Sequence, residues 1–420
     1  MKIALDVNPI KSVLTGFGRY TCSLLNAYLR FFPEHRYILY RVAGIRNLYP
    51  TEKIAQLKNE NIDIRTFGII GSWIYPIRKF FPIDELFLRD ADVVHVQGYN
   101  VPSFLSEKKI IVTVHDVIPF IYPELFTVRE REIWKKWLNN FNQANVAWVI
   151  ADSERTKKDL IVISKINPAK IRVVPLAASY EFTQFVEEPR AQSFFSSLNL
   201  SSPYILSVGT IEPRKNYVRL IQAYNILRKE NIFSGKLVIV GAKGWLYNPI
   251  FQAYDESLFK NDILFIGYVS DEILRCLYQR ATAFAFLSLY EGFGLPLLEA
   301  FASNVPVVSS NGGSLPEVGG DAVFYINPYD VSSIAEGLKA VLENESLRKA
   351  LIKKGKERLK EFSWEKTARK TFELYLAEKQ SFVWTELAVR KTDLLSEQGL
   401  AWRSILISNN GIILGSIEMF

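Results

Sequence analysis

Short apolar, β-branched runs alternate with longer amphipathic stretches along this chain. In the first half the pattern predicts strands over Lys2–Val7, Tyr37–Val42, Ile62–Phe67, Asp92–Val96, Ile110–Val114, Val146–Ala151 and Ile171–Pro175. Amphipathic periodicity predicts helices between several of them, at Arg19–Phe31, Val128–Phe141 and Glu154–Ile163. The alternation then restarts. Strands are predicted over Tyr204–Val208, Lys236–Val240, Ile263–Ile266, Ala283–Leu287, Val305–Ser309 and Ala322–Tyr325, with helices near Tyr217–Arg228, Asp271–Gln279, Pro296–Ala302 and Val331–Leu342. Continuous apolar strands separated by helices predict mostly parallel sheets covered on both faces. The polar stretch 177–202, rich in Ser, Glu and Gln, reads as a linker or a long surface excursion between two doubly wound α/β domains, 1–176 and 203–362. Such domains bind ligands beyond the carboxyl ends of their strands.

Length and composition narrow the picture. A chain of 420 residues fits two domains. With 49% hydrophobic and 23% charged residues it is an ordinary globular protein, which excludes a disordered chain. Cys22 and Cys276 cannot form a disulfide framework and read as reduced core thiols. His35, His95 and His115 are scattered, with no HExxH and no Cys/His cluster, so no metal is expected. The excess of 51 basic over 44 acidic residues, +7, suits an acidic ligand or an anionic membrane and does not require nucleic acid. Asp6 interrupts the apolar start, so no signal peptide is expected, and no apolar run reaches membrane-spanning length. The expected location is the cytoplasm.

The strongest chemical constellation follows the strand AFAFLSL: Tyr290-Glu291-Gly292-Phe293-Gly294-Leu295-Pro296, continuing to Glu299 within the next helix. Gly292 and Gly294 let backbone approach a ligand closely, Pro296 suits a first helical turn, and the helix N-terminus near Leu295 favours an anion. Glu291 and Glu299 could hold hydroxyls of a polyol. A second constellation, Gly209-Thr210-Ile211-Glu212-Pro213-Arg214-Lys215-Asn216, follows the strand YILSV. Arg214 can grip a phosphate bidentately and Lys215 can act as a point charge, which together suit a diphosphate leaving group.

Weaker signals surround these. Thr15-Gly16-Phe17-Gly18-Arg19 follows the first strand and opens a helix; it lacks the third glycine of a dinucleotide fingerprint and reads as a flexible loop near a phosphate or sugar. His115-Asp116 stands at a strand's carboxyl end, where catalytic groups gather. Asp90-Ala91-Asp92 imitates a metal motif but sits at a strand's entry, and reads as structural. Ser153 reads as a helix N-cap that also lines the cleft. Asn311-Gly312-Gly313-Ser314-Leu315-Pro316-Glu317 offers backbone donors at another strand end.

Together these residues resemble the retaining nucleotide-sugar glycosyltransferases of family 4, most specifically at GTIEPRKN and EGFGLPLLEAFASNVPVVSSNGGSLPEV. The order of those segments looks like mannosyltransferases of surface-polysaccharide synthesis. The resemblance implies the GT-B fold, two Rossmann-like domains facing across a cleft, with residues 1–176 on the acceptor side and 203–362 binding the nucleotide sugar. Arg214 and Lys215 match the diphosphate pair. Glu291 matches the Glu on the transferred sugar, with Gly292, Phe293, Gly294 and Leu295 on the donor. Glu299 matches the ribose ligand, and His115 the His beside the anomeric centre. Gly209 ends the donor-side strand, and Gly16 and Gly18 look like a loop closing over donor and acceptor. The family works without metal or cofactor. Residues 363–380, opened by Ser363 as N-cap, resemble its crossover helix back to the first domain. Nothing carries over to 381–420.

The expected reaction moves a hexose, read as mannose from GDP-mannose, to a glycan or lipid-linked acceptor. An epimerase or hydrolase of the same fold, and a non-catalytic sugar-nucleotide-binding protein, stand as alternatives. The aromatic and basic stretch 69–82, IIGSWIYPIRKFFP, reads either as a peripheral contact with the inner face of the cell membrane or as a buried helix with a basic edge.

Overall fold

A run such as Lys2–Asp6, in which Ile3, Ala4, Leu5 and Asp6 are all buried, needs cover on both faces. The computed structural model describes residues 1–10, 16–44, 54, 60–69, 88–97, 110–184, 189–200, 203–377, 405–408 and 411–414, and it places this run inside a parallel sheet. The strands of that sheet are β1 (Lys2–Asp6), β2 (Arg36–Gly44), β3 (Ile62–Ile69), β4 (Val93–Val96), β5 (Ile110–Val114), β6 (Val146–Ala151) and β7 (Ile171–Val173), in the order β3-β2-β1-β4-β5-β6-β7. A second parallel sheet holds β8 (Tyr204–Val208), β9 (Lys236–Val240), β10 (Ile263–Gly267), β11 (Ala283–Phe286), β12 (Val307–Ser310) and β13 (Val323–Ile326), in the order β10-β9-β8-β11-β12-β13. In each sheet the order reverses beside the first strand, at β1/β4 and β8/β11, and the crevice beyond the carboxyl ends opens there.

The helices include α1 (Gly16–Phe31), α2 (Val128–Gln143), α3 (Glu154–Ile163), α4 (Pro189–Ser197), α5 (Tyr217–Lys229), α6 (Asn248–Asp255), α7 (Asp271–Arg280), α8 (Leu295–Ala302), α9 (Leu315–Gly319), α10 (Val331–Glu343) and α11 (Glu345–Leu359); a four-residue helix also lies at Ile118–Ile121, and residues 364–377 are helical. Their ends are set by side chains. Thr127 and Glu130 form a reciprocal capping box at α2, and Ser153 accepts from the Thr156 N–H to cap α3. Against the second sheet, α5 packs with α6 and α10, whereas α8 packs with α7 and α11. Leu220, Ile221 and Tyr224 of α5 are buried with Leu237 and Ile239 of β9 in the core of this lobe.

Helix α4 forms within the stretch 177–202. The structure corrects one expectation. Gly16 and Gly18 do not form a loop. They lie in the first turn of α1, where Phe17 and Tyr20 pack their rings on His115. Asp90 accepts a bidentate pair from Arg65 at 2.7 and 2.9 Å, and Asp92 accepts from the Lys2 N–H, so this acidic pair ties strand starts together.

The chain divides into a unit over Met1–Glu373, which holds both sheets, and a second over Leu374–Phe420. In the first unit Thr367 donates to the Pro175 carbonyl at 2.7 Å, and Phe372 stacks on Phe32 with ring centroids 4.0 Å apart. In the second, β14 (Ile405–Ser408) pairs antiparallel with β15 (Gly411–Leu414). Beyond Ile69, the stretch 69–82 lies outside the described residues, as does most of 381–420. Among the described residues no helix is long and apolar enough to cross a membrane.

Candidate active site

Gly209 follows the last residue of strand β8, and the single turn after it, Pro213–Lys215, carries both cations. Strand β11 leads into the loop that carries Glu291. These are the two strands flanking the switch point, so residues 76 positions apart meet. Arg214 reaches Glu291 at 2.6 Å and Glu212 at 2.6 Å, and its guanidinium also donates to the Tyr290 carbonyl. Lys215 donates to the other oxygen of Glu291, with its ammonium 4.9 Å from the Phe286 ring centre. The Lys215 stem passes against Gly209, where a Cβ would stand 2.9 Å from its Cε.

The electrostatics follow from this clustering. Burial disfavours the Glu291 carboxylate, but Arg214 and Lys215 outweigh it and hold the group at about 2. Burial and the neighbouring Arg214 pull the Lys215 amine below its ordinary value, against the opposing pull of Glu291 and Glu212. Burial pushes Glu212 up, partly offset by Arg214. Two carboxylates, Glu291 and Glu212, thus balance two cations.

The loop after Glu291 is fixed by close packing. A Cβ on Gly292 would lie 2.1 Å from the His115 carbonyl oxygen, so no side chain fits between the lobes there. Gly294 caps α8 with φ of 104°, in the left-handed region that favours glycine. Leu295 opens α8, Phe293 is buried, and Pro296 occupies the first turn. Within Asn311–Glu317, Ser314 buttresses this loop. The Ser314 N–H donates to the Glu291 carbonyl at 3.0 Å and its hydroxyl to the Phe293 carbonyl at 2.7 Å.

Glu299 lies elsewhere than the doublet. On α8 it accepts from Arg19 at 2.9 Å and from the Tyr278 hydroxyl at 3.0 Å, and Arg19 also pairs with Asp271 at 2.7 Å. From the first lobe, His115 Nδ1–H donates to Asp152 at 2.6 Å, which leaves Nε2 buried and without a hydrogen-bond partner. Further first-lobe groups reach the Glu291 loop. Ser153 and Thr156 donate to the Gly292 carbonyl at 2.6 and 3.0 Å. Glu317 in turn accepts the Glu154 and Arg155 N–H groups at the start of α3.

The structure therefore joins Arg214, Lys215 and Glu291 directly, sets His115 against Gly292, and keeps Glu299 in a separate cluster with Arg19. Sequence reading overlooked the parts played by Asp152, Glu212 and Arg19. Asp152 stands at the carboxyl end of β6, the position that singled out His115 on β5, and the same criterion would have found it.

Known proteins match this arrangement along the whole two-lobed region. Residues 16–181 match the family described as Glycosyltransferase Family 4, and residues 189–358 match Glycosyl transferases group 1. O-antigen chain mannosyltransferase B of Escherichia coli is 30% identical over 396 residues, covering 89% of this chain and 99% of the relative. The chain belongs to family 4 of the glycosyltransferases. Serotype-specific mannosyltransferase WbdA of Escherichia coli is 28% identical over 96% of this chain, which spans about half (53%) of that longer relative. The GT-B fold also appears in sucrose-phosphate synthase from Thermosynechococcus elongatus, with a TM-score of 0.69 at 21% identity, covering 91% of this chain and 99% of that one.

Proposed function

We propose that this family 4 glycosyltransferase moves mannose from GDP-mannose to a glycan or lipid-linked saccharide acceptor in surface-polysaccharide synthesis, with retention of anomeric configuration. The names of the full-length relative and of WbdA support mannose and an O-antigen-like acceptor. The observation that carries the reading is the cluster of half-buried Arg214 and Lys215 with buried Glu291 at the β8/β11 switch point. In this reading residues 1–176 take the acceptor and 203–362 the nucleotide sugar, with no bound metal or cofactor.

The bond from the anomeric carbon to the diphosphate oxygen breaks, and the departing oxygens gain negative charge that Arg214 and Lys215 neutralise. Glu291, released from part of that pairing, accepts hydroxyls of the transferred sugar. Glu299 exchanges Arg19 for the ribose. The acceptor hydroxyl attacks from the face the leaving group vacates, and its proton passes to the leaving phosphate. His115, fixed by Asp152, presents Nε2 beside the anomeric centre. Lobe closure through Ser153, Thr156 and Glu317 excludes water and so limits hydrolysis.

The test is transfer from GDP-mannose to α-mannoside acceptors, with proton NMR of the product linkage and a titration of the protein with several nucleotide sugars. An α-mannoside product formed much faster than free mannose is expected. A β product, equal turnover without acceptor, or tighter binding of another nucleotide sugar would sink the corresponding part of the reading.

A further inference from the structure

A cavity of about 510 Å³ opens between the lobes on the α5 side of the second sheet. Glu299, with its Arg19 and Tyr278 neighbours, belongs to α8, which packs with the other set of helices, so the cavity is distinct from that cluster. Its walls come from both lobes: Tyr122 and Leu125 from the first, Tyr217, Arg219, Gln222 and Tyr329 from the second. It adjoins the candidate reaction centre through the chain. Pro213 and Leu289 line it, and the residues that follow each of them are Arg214 and Tyr290, which lead directly to the Glu291 cluster. The Leu289 N–H donates to the Arg214 carbonyl at 2.8 Å, and the Tyr122 ring packs on Tyr290 with centroids 5.3 Å apart.

The lining fits a saccharide better than a lipid chain. Half-buried Tyr122 and exposed Tyr329 offer flat apolar faces that end in hydroxyls, which suits sugar rings with their apolar C–H faces and hydroxyl edges, while Tyr217 is buried and forms the cavity floor. Arg219 lies over the Tyr329 ring at 5.6 Å, and exposed Glu124 and Gln222 stand at the rim, where an alkyl tail would meet charge. The volume is in the range of a small-molecule site and has room for more than one hexose. The geometry points to an acceptor subsite: this cavity holds the sugars that precede the accepting residue of a growing glycan, so the enzyme reads acceptor length. The inference rests on the function proposed above and adds the class and extent of the acceptor.

The experiment compares methyl α-mannoside with α-linked mannose di-, tri- and tetrasaccharides, and with octyl α-mannoside, using GDP-mannose and the full chain. In the wild type, kcat/KM rises at least tenfold from the methyl mannoside to the trisaccharide. Tyr329→Ala removes an exposed ring. Leu246→Asn alters an exposed lining residue whose φ of 49° Asn also tolerates. Each variant abolishes that rise, while GDP-mannose binding by titration and transfer to methyl α-mannoside stay within about twofold, which also shows that the variant is folded. No length effect in the wild type, a length effect intact in both variants, or an equal gain from the octyl chain alone overturns the subsite. A wild-type protein that binds GDP-mannose yet transfers to none of these acceptors overturns the proposed function instead.

Discussion

Replacing Glu291 by Gln tests the charge balance at the centre of the site. The substitution keeps the shape and removes one of the two carboxylates that neutralise Arg214 and Lys215. The wild-type carboxyl is held at about 2, against an ordinary 4.5. A folded-state value below the unfolded one stabilises the protein above the unfolded value, and this contribution is lost as pH falls through the folded one. The difference corresponds to about 3 kcal/mol at neutral pH, with more than half gone by about pH 3. Losing one member of a buried ion pair gives a cost of the same order, about 3–5 kcal/mol. Urea unfolding of wild type and Glu291→Gln at several values between pH 7 and 3 therefore shows a stability gap that narrows on acidification. The functional arm has the opposite sign for two readouts. Transfer falls about a hundredfold or more, while free GDP binds at least as tightly, because the doublet faces one negative charge fewer. A stability gap that stays flat with pH, or GDP binding weakened tenfold, would refute the assignment of Glu291 as counter-ion to the doublet.

Two further substitutions separate leaving-group stabilisation from positioning. Lys215→Ala lowers the transfer rate by well over tenfold through lost charge stabilisation at the diphosphate, and an unchanged rate in a folded variant contradicts the phosphate role. Asp152→Asn loosens the ring of His115 and lowers turnover by about tenfold to a hundredfold. If the two act as a unit, the double variant with His115→Ala is no worse than His115→Ala alone, and additive losses would show that they act separately.

The parallel strands were readable because they are covered on both faces, so runs such as Ile110–Val114 are apolar at successive positions. Helices were readable where one face is buried, as in α5 and α7. Helix α11 was missed for the opposite reason. Of Glu345–Leu359 only Leu351 and Gly355 are buried, so the sequence carries little periodic signal there. The start of α1 misled because Gly16 and Gly18 suggest a loop, whereas the packing of Phe17 and Tyr20 on His115 favours the helix. The clustering of Arg214, Lys215 and Glu291 was legible because each lies in the short segment that follows a strand. What local pattern cannot carry is pairing across the lobes. Arg19 and Glu299 are 280 positions apart, and only the docking of α1 against the second lobe brings them together.

That cross-lobe pairing bears on how the site opens. Ser153 accepts from the Thr156 N–H while donating to the Gly292 carbonyl, and Glu317 takes up two more N–H groups at the start of α3. The first turn of a first-lobe helix is thus completed by the loop and carboxylate of the second lobe. Each of these bonds can be exchanged for one to water at a net cost of about 0.5–1.5 kcal/mol, with charged partners somewhat more. Separation of the lobes is therefore affordable in thermal terms, and donor and acceptor can enter. The close approach of Gly292 to His115, by contrast, has no substitute in water, because it is a matter of shape. In the mechanism proposed above, shutting the lobes makes this approach and brings His115 of the first lobe and the Glu291 loop of the second to one site, the arrangement that keeps water from the departing sugar.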